Sequence, residues 1–192
     1  MPVLQRVKHM KKLGAISILF FIHQLIFLTA CTPESNDTIS FDKDIIDKHS
    51  QLFPLSMIPS AVEMVLKLNH KVPVDYYDNQ KMWRNNRDGS FLNYDSVSVN
   101  GLRFYQKFNL NRGENFPIDQ LFTTIDQELS EKRFVLISLN TNRSWGVYVI
   151  YGKTENGDYA AFTKAGKKTL MESSVKEIVR QMKGTDIMIY SD

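Results

Sequence analysis

The first thirty residues differ strongly in charge and hydrophobicity from the rest of the chain. The folded domain is therefore expected to lie after them. Residues 1–30 hold four basic side chains and no acidic one, and residues 13–30 carry no charge. A basic segment, an apolar stretch and small residues at its end are the three parts of a secretory signal. The apolar stretch is near the minimum for a membrane span, about 18 residues, but His23 and Gln24 in its middle argue against one. The sequence therefore predicts a signal peptide over residues 1–30.

Cys31 follows this stretch directly and is the chain's only cysteine. No disulfide can form within the chain, and no second thiol can bind a metal or attack a substrate. The segment Leu28-Thr29-Ala30-Cys31 resembles a bacterial lipobox, in which the cysteine becomes the lipid-modified first residue of the mature protein. Thr32 follows instead of aspartate, which by resemblance to bacteria with two membranes favours the outer membrane. The resemblance implies a membrane anchor at Cys31. The domain is expected to face the periplasm, with the cell surface as the alternative.

Charge in the remainder of the chain argues against a nucleic-acid-binding protein. Removing the four basic residues of the signal from the chain's 24 leaves 20, against 21 acidic residues. A domain without a basic excess lacks the electrostatic attraction that phosphates require. Residues 31–44 begin with a polar segment and are expected to be the lipid-anchored cysteine and a flexible tether. Residues 45–192 have ordinary globular composition and are expected to form one domain.

Helical and strand patterns follow one another in an order typical of an α+β domain. Helices are predicted at Met57 to Asn69, Asp75 to Arg87, Pro117 to Glu131 and, opened by a capping box at 174–177, up to Lys183. Strands are predicted at 134–139, 146–151, 158–163 and 186–190, with a hairpin turn at 155–158. Residues 91–113 are expected to form a loop with a short extended piece, and residues 164–168 an exposed turn. The predicted fold has N-terminal helices packed on a C-terminal antiparallel sheet with one late helix.

Two short motifs accompany this order of elements. Gln51 lies six residues before Met57, and Met57-Ile58-Pro59-Ser60 opens the first long helix. The second motif is the segment 144–152, Ser-Trp-Gly-Val-Tyr-Val-Ile-Tyr-Gly, which contains the predicted strand at 146–151. Both motifs resemble those of the papain-like cysteine peptidases, in particular the compact bacterial branch related to bacteriocin-processing peptidases. In that family the glutamine precedes a catalytic cysteine that opens the helix, and a catalytic histidine heads the strand. The resemblance covers roughly residues 45–190 and implies a papain-like fold.

Of the family's functional positions, only the glutamine is kept. Met57 stands where the family has the cysteine, Trp145 or Gly146 where it has the histidine, and Phe162 or Thr163 where it has the orienting acid or amide. A thiol peptidase needs a thiolate, a base that activates it and a group that orients the base. A thioether cannot deprotonate, and indole is no proton acceptor. The resemblance therefore implies a pseudopeptidase with degenerate positions at Gln51, Met57, Trp145 and Phe162, and not an enzyme.

Other chemistry in the domain has weaker support. Ser56 and His49 lie seven residues apart, and a pairing of the two would make the chain an active periplasmic hydrolase with a non-standard site. An acidic cluster with one histidine, Asp42, Asp44, Asp47 and His49, lacks the glycine and the distal glutamate of a calcium loop. No metal and no cofactor are predicted.

The degenerate cleft allows two interpretations. Met57, Trp145 and Phe162 either line an apolar groove that binds a peptide, or simply fill the cleft. The expected function is that of an outer-membrane lipoprotein that binds a peptide or protein partner as an accessory in envelope assembly or secretion. An active hydrolase, or a structural lipoprotein of unrelated α+β fold, are the alternatives.

Overall fold

The computed structural model describes residues 38–83 and 90–192. The predicted signal peptide, Cys31 and the last four residues of the helix predicted to end at Arg87 lie outside the described residues. These described residues form one compact unit, and its buried apolar side chains make a single connected core. A unit of this size with its own core has what it needs to fold alone.

The described residues form five α-helices and seven strands. The helices are α1 (Lys43–Lys48), α2 (Met57–Leu68), α3 (Asp78–Trp83), α4 (Ile118–Ser130) and α5 (Val175–Gln181), with a 3-10 helix at Phe91–Tyr94. The strands are β1 (Ser98–Val99), β2 (Leu102–Lys107), β3 (Val135–Asn140), β4 (Trp145–Lys153), β5 (Tyr159–Ala165), β6 (Lys168–Glu172) and β7 (Ile187–Ser191). The predicted α+β class is confirmed.

The seven strands make one antiparallel sheet in the order β1-β2-β7-β3-β4-β5-β6. Strands β3, β4, β5 and β6 are joined by hairpin connections, and each pairs in the sheet with the strand that follows it in the chain. Strand β7 instead inserts between β2 and β3, where it pairs with both. Strand β2 precedes α4 in the chain, and β3 and β7 follow it. The pairing of β7 with both β2 and β3 therefore links the part of the sheet formed before α4 to the part formed after it.

Helices cover the two faces of the sheet. Side chains of a strand alternate between faces, so Phe162 and Tyr159 of β5 point in opposite directions. Phe162 lies against α2 across a small cavity, whereas the Tyr159 hydroxyl donates to the Phe122 carbonyl of α4 at 3.0 Å. We refer to these as the α2 face and the α4 face.

Helix α2 is the most deeply buried element. All its residues from Ile58 to Leu68 are buried, including the polar Ser60, Glu63 and Lys67. Pro59 sits in the first turn, where its missing N–H costs nothing. A helix enclosed on all sides must satisfy its polar side chains internally, and those side chains determine how the neighbouring segments attach to it.

Three strands, β1, β2 and β6, were not predicted from the sequence. Residues 91–113 contain β1 and the six-residue β2 rather than a loop with one short extended piece, and the predicted exposed turn at 164–168 contains the end of β5 and the start of β6. Lys164 in that segment is buried, with its Nζ 3.0 Å from the Ile46 carbonyl oxygen. The sheet therefore is not wholly C-terminal. The predicted capping box is also wrong, because Ser174 begins α5 without a side-chain cap bond.

The end of the expected tether belongs to the folded domain. Ile39 is buried, and its N–H donates to the Tyr151 carbonyl of β4 at 2.8 Å. The Phe41 ring meets the Tyr151 ring edge-on, with centroids 5.1 Å apart. Gly152 leaves the space for this segment, since a Cβ there would lie 2.8 Å from the Thr38 Cα. The boundary predicted at residue 45 is thus too late by at least six residues, because the apolar Ile39 and Phe41 find partners on the sheet.

Candidate functional site

The beginning of α2 meets β4 and β5 at a small cavity, and two of the positions named by the resemblance, Met57 and Phe162, line it. Met57 opens the helix, and its side chain shares the lining of one small cavity with Val147 of β4 and with Phe162 and Thr163 of β5. We call these four residues the degenerate centre. The cavity has a volume of about 10 Å³, which is room for one water molecule at most. Phe162 is almost fully buried, so the side chains fill the cleft.

Trp145 and Gln51 do not join this centre. Trp145 begins β4 opposite Asn140 and is half-buried, but it is not among the residues that line the cavity. Gln51 directs its side-chain amide to its own loop, with Nε2 2.9 Å from the Phe53 carbonyl oxygen and 3.0 Å from that of Pro54. The two amide hydrogens are therefore used locally. The groove expected between Met57, Trp145 and Phe162 is closed in this structure, because the cleft lacks the volume of a peptide side chain.

The hypothesised pairing of Ser56 with His49 is wrong. Ser56 Oγ lies 2.9 Å from the Phe53 carbonyl oxygen and 2.8 Å from Gln80 Oε1. These two acceptors compete for its single hydrogen, and the hydroxyl is buried. The Ser56 hydroxyl thus stabilises the turn before α2 through hydrogen bonds and has no base beside it to activate it.

His49 instead contacts Ser60 and Lys67, both on α2. Its Nε2 lies 3.0 Å from Ser60 Oγ and 3.1 Å from the Ser60 carbonyl oxygen, and its Nδ1 lies 2.9 Å from Lys67 Nζ. An ammonium group can only donate, so Nδ1 accepts and the ring proton sits on Nε2. Nε2 therefore donates to Ser60 and cannot withdraw its proton. The pair has the composition of a serine hydrolase dyad but the wrong tautomer for one.

Burial sets the charge of these groups. Desolvation, assisted by the nearby Lys67 ammonium, lowers the pKa of His49 to about 3, so the imidazole is neutral at physiological pH. Desolvation likewise lowers the pKa of Lys67 to about 8, although the Glu63 carboxylate opposes the shift. Lys67 Nζ lies 3.8 Å from the centroid of the Tyr77 ring, which stacks on His49 at 5.5 Å. The ring offers the buried ammonium a cation–π contact. We call His49, Ser60, Lys67 and Tyr77 the histidine cluster.

A second buried group surrounds Gln80 of α3. The Gln80 backbone N–H and its Nε2 donate to the two carboxylate oxygens of Glu63, at 2.8 and 2.7 Å. Nε2 also donates to the Ser50 carbonyl at 3.0 Å, and Oε1 accepts from the Leu52 N–H at 2.8 Å. Desolvation raises the pKa of Glu63, while the bonds from Gln80 counteract the rise. This glutamine joins α3 and the 50–56 loop to α2.

Sequence reasoning did not find these two groups as units. The available signal was a helix with apolar residues on every side that nevertheless carries Ser60, Glu63 and Lys67. Such a helix is expected in a core, and a charge inside it needs a buried partner. Their partners come from residues 49 and 80, and nothing in the local pattern identifies those residues.

The described residues contain no group of three or more histidine, cysteine, aspartate or glutamate side chains arranged to hold a metal ion. Within the same residues no helix has both the length and the apolar character needed to cross a membrane. No family model matches the sequence, and no curated protein matches it.

Proposed function

We propose that this chain is a lipid-anchored outer-membrane protein whose domain is a papain-like pseudopeptidase that binds a protein or peptide partner without hydrolysing it. The anchor is the cysteine of the lipobox, Cys31. The domain begins before residue 39 and holds its partner on its surface, since the former cleft is closed.

The meeting of three elements at the degenerate centre is the observation that carries this proposal. In the papain-like arrangement a cysteine at the start of a buried helix faces a histidine on one strand and an acid or amide on the next. Here Met57 at the start of α2 shares a cavity with Phe162 of β5 and with Val147, the residue after Gly146 on β4, whereas Trp145 does not line it. Met57 and Phe162, more than a hundred residues apart in the chain, thus lie together, and this supports the proposal at two of the positions that the resemblance names.

The absence of catalysis follows from the chemistry at these positions. The chain's only cysteine is Cys31, so the domain has no thiol. Ser56 and Ser60 are both buried and hydrogen-bonded to groups that do not activate them. Acyl transfer without a nucleophile, or with a buried and unactivated one, loses many orders of magnitude in rate.

A cysteine introduced at position 57 tests the geometry of the centre. In Met57→Cys the thiol would stand at the first residue of a twelve-residue helix, where the helix dipole favours the thiolate. Lys164, which lines the same cavity, adds positive charge. In residues 32–192 we expect the pH dependence of alkylation by iodoacetamide to give a thiol pKa of about 7 or lower. Leu110→Cys, on an exposed loop, is the matched control and should titrate at about 8.5. Equal pKa values at the two positions would refute the proposed papain-like centre.

Activity is tested separately with the same segment. We expect no cleavage of casein or of a mixed peptide library, and no labelling by a fluorophosphonate probe, which reacts with activated serines. Labelling that disappears in Ser56→Ala or Ser60→Ala would establish a serine hydrolase and overturn the non-catalytic proposal.

The anchor requires an experiment on the full chain. In a bacterial host, wild-type protein should fractionate with the outer membrane and accumulate as a larger precursor when globomycin blocks lipoprotein signal cleavage. Cys31→Ser should not be lipidated or processed at this site. Membrane association and a mature size that are unchanged by this substitution would exclude the lipoprotein assignment but leave the pseudopeptidase proposal intact.

A further inference from the structure

Among the described residues, strand β6 is an edge of the sheet. In the described part of the chain its neighbour in the sheet is β5, and it forms one end of the strand order. The opposite end, β1, is only two residues long. An edge strand presents a row of backbone donors and acceptors that can pair with another strand. At five residues, β6 is the longer of the two edges.

The side chains of β6 include one exposed apolar residue. Met171 is 54% exposed, although it stands opposite the buried Phe162 on the α2 face. Beside it is a cavity of about 460 Å³, whose apolar wall includes Phe41, Ile46 and Tyr151. Thr169 and Met171 of β6 line it as well, and Lys43 and Asp47 of α1 give it a charged rim. We call this the edge cavity. It is large enough for several side-chain groups, unlike the cavity of the degenerate centre.

The sequence of β6 is complementary to itself when reversed. It reads Lys168-Thr169-Leu170-Met171-Glu172. If two copies of β6 pair antiparallel about Leu170, Lys168 of each copy lies opposite Glu172 of the other, and each Leu170 lies opposite its own counterpart. Opposite charges directly across two strands are favourable, whereas like charges in that position are unfavourable. A contact in which one patch meets the same patch on a second copy is the usual form of a symmetric dimer.

The same register provides an occupant for the edge cavity. It places Met171 of one copy opposite Thr169 of the other, and Thr169 lines the cavity. Both residues are on the α2 face, since they pair with Phe162 and Lys164 of β5. The unbranched methionine side chain adapts readily to an apolar space of irregular shape. Each copy can therefore insert its exposed Met171 beside the Phe41 and Tyr151 rings of the other.

We propose that β6 is the interface of a homodimer in which two copies of this chain pair antiparallel about Leu170 and exchange Met171 between their edge cavities. Two seven-stranded sheets then become one continuous sheet. The inference rests on the edge, its charges and its cavity, and it does not depend on the proposed function. Because the paired strands are short, the dimer is a weak one, with a dissociation constant of about 10–100 μM.

Charge reversal tests the register. Sedimentation velocity of residues 32–192 should show reversible dimerisation as the protein concentration rises. Lys168→Glu puts two pairs of like charges into the dimer and should weaken association about tenfold. Lys167→Glu changes the net charge equally but lies in the exposed turn before the strand, so it should leave the dissociation constant unchanged. An equal mixture of Lys168→Glu and Glu172→Lys should restore dimerisation, because both pairs in the mixed dimer are then attractive.

A cysteine at the symmetry axis provides a test that does not require Glu172. The Glu172 carboxylate also accepts hydrogen bonds from the Ser173 and Ser174 N–H groups, so Glu172→Lys can disturb that turn. In residues 32–192, which contain no other cysteine, Leu170→Cys would face itself at an antiparallel Cα separation of about 4.5–5.5 Å, within disulfide range. Mild oxidation should cross-link it at least about tenfold faster than Leu110→Cys at equal concentration.

Three results would overturn the proposal. One is a wild-type segment that stays monomeric throughout the concentration series, including one that binds other proteins through β6 instead. Another is an equal effect of Lys168→Glu and Lys167→Glu on association. The third is cross-linking of Leu170→Cys no faster than that of the Leu110→Cys control. Circular dichroism of each variant confirms beforehand that the compared proteins are folded.

Discussion

At the scale of single residues, two oppositely charged side chains are buried inside one helix of the domain. Glu63 and Lys67 lie one turn apart inside α2, both almost without solvent exposure. Each charged group has specific partners. Gln80 donates two hydrogen bonds to the Glu63 carboxylate. The Lys67 ammonium donates to His49 Nδ1 and lies over the Tyr77 ring. Substitution of one of these residues leaves its partner buried without a hydrogen bond. The loss in unfolding free energy then exceeds the net stabilisation that the hydrogen bond provided. The two groups therefore fix the positions of α1, α3 and the 50–56 loop against α2.

The buried imidazole makes stability sensitive to acid. The pKa of His49 is about 3 in the folded domain against an ordinary 6.5, so between these values the unfolded chain binds a proton that the folded domain does not. Its contribution to stability is thus complete above pH 6.5 and is lost as the pH falls towards 3. Between pH 6.5 and 5 it should cost about 2 kcal/mol of unfolding free energy.

Urea unfolding of wild type and of His49→Gln at several pH values measures this contribution. The titrating groups common to the two proteins cancel in the difference between their slopes. The wild type should lose about 2 kcal/mol more than the variant between pH 6.5 and 5. Parallel pH dependences of the two proteins would show that His49 is not buried as a neutral ring.

At the scale of elements, periodicity identified the strongly amphipathic segments and missed the edges. Helix α2 begins at the predicted Met57 and ends one residue before the predicted Asn69, and α4 lies within the predicted Pro117 to Glu131. Strands β3, β4, β5 and β7 were predicted within one to two residues, because their apolar runs are continuous. Strands β2 and β6 each carry two charged residues. Their apolar runs are short, and the alternation of Leu102 and Phe104 with Arg103 in β2 is too brief a signal to separate it from a loop. What makes them strands is a partner elsewhere in the chain.

The connection between α5 and β7 depends on a glycine. Gly184 has a φ of +120°, and a Cβ there would lie 2.3 Å from atoms of the Phe116 ring. Gly157 also has a positive φ, +78°, but has no atom within 4 Å of the corresponding position. Gly157→Ala should therefore cost only the backbone strain, about 1 kcal/mol.

Gly184→Ala adds a collision with a buried ring to that strain. It should cost about 3 kcal/mol or more of unfolding free energy. Chemical denaturation of the two variants under the same conditions compares them directly. A similar loss for both alanines would mean that Phe116 can move away from Gly184 at little cost.

At the scale of the whole molecule, the sequence indicated the class but not the strand order. Hairpins between consecutive strands can be expected from short turns, and β3 to β6 follow that rule. The insertion of β7 between β2 and β3 pairs segments about 80 residues apart, for example Gln106 with Met188. Apolar side chains of similar size at both strands allow several such arrangements, so only the packing of the complete domain selects one. The same argument applies to the degenerate centre, whose predicted members Met57 and Phe162 do meet while Trp145 and Gln51 do not line it.

The N-terminal boundary can be tested on the whole domain. A segment that begins at Ser35 retains Ile39 and Phe41, whereas one that begins at Ile45 exposes the Tyr151 and Phe162 rings that Phe41 contacts. The loss of one buried isoleucine and a half-buried phenylalanine should reduce the unfolding free energy by about 3 kcal/mol. Differential scanning calorimetry of the two segments measures it, and Ile39→Ala with Phe41→Ala in the longer one separates side-chain loss from chain length. Equal melting temperatures for the two segments would show that the folded domain begins at residue 45, as the sequence predicts.

The position of β7 governs when the protein can become native. Until residues 187–191 are available, β2 and β3 each have one side open, and the nascent polypeptide has two separate partial sheets with no strand between them. Synthesis delivers this strand after the other strands of the sheet. The two partial sheets can therefore join only once residues 187–191 have been made, and a truncated chain that lacks them should not reach the native fold.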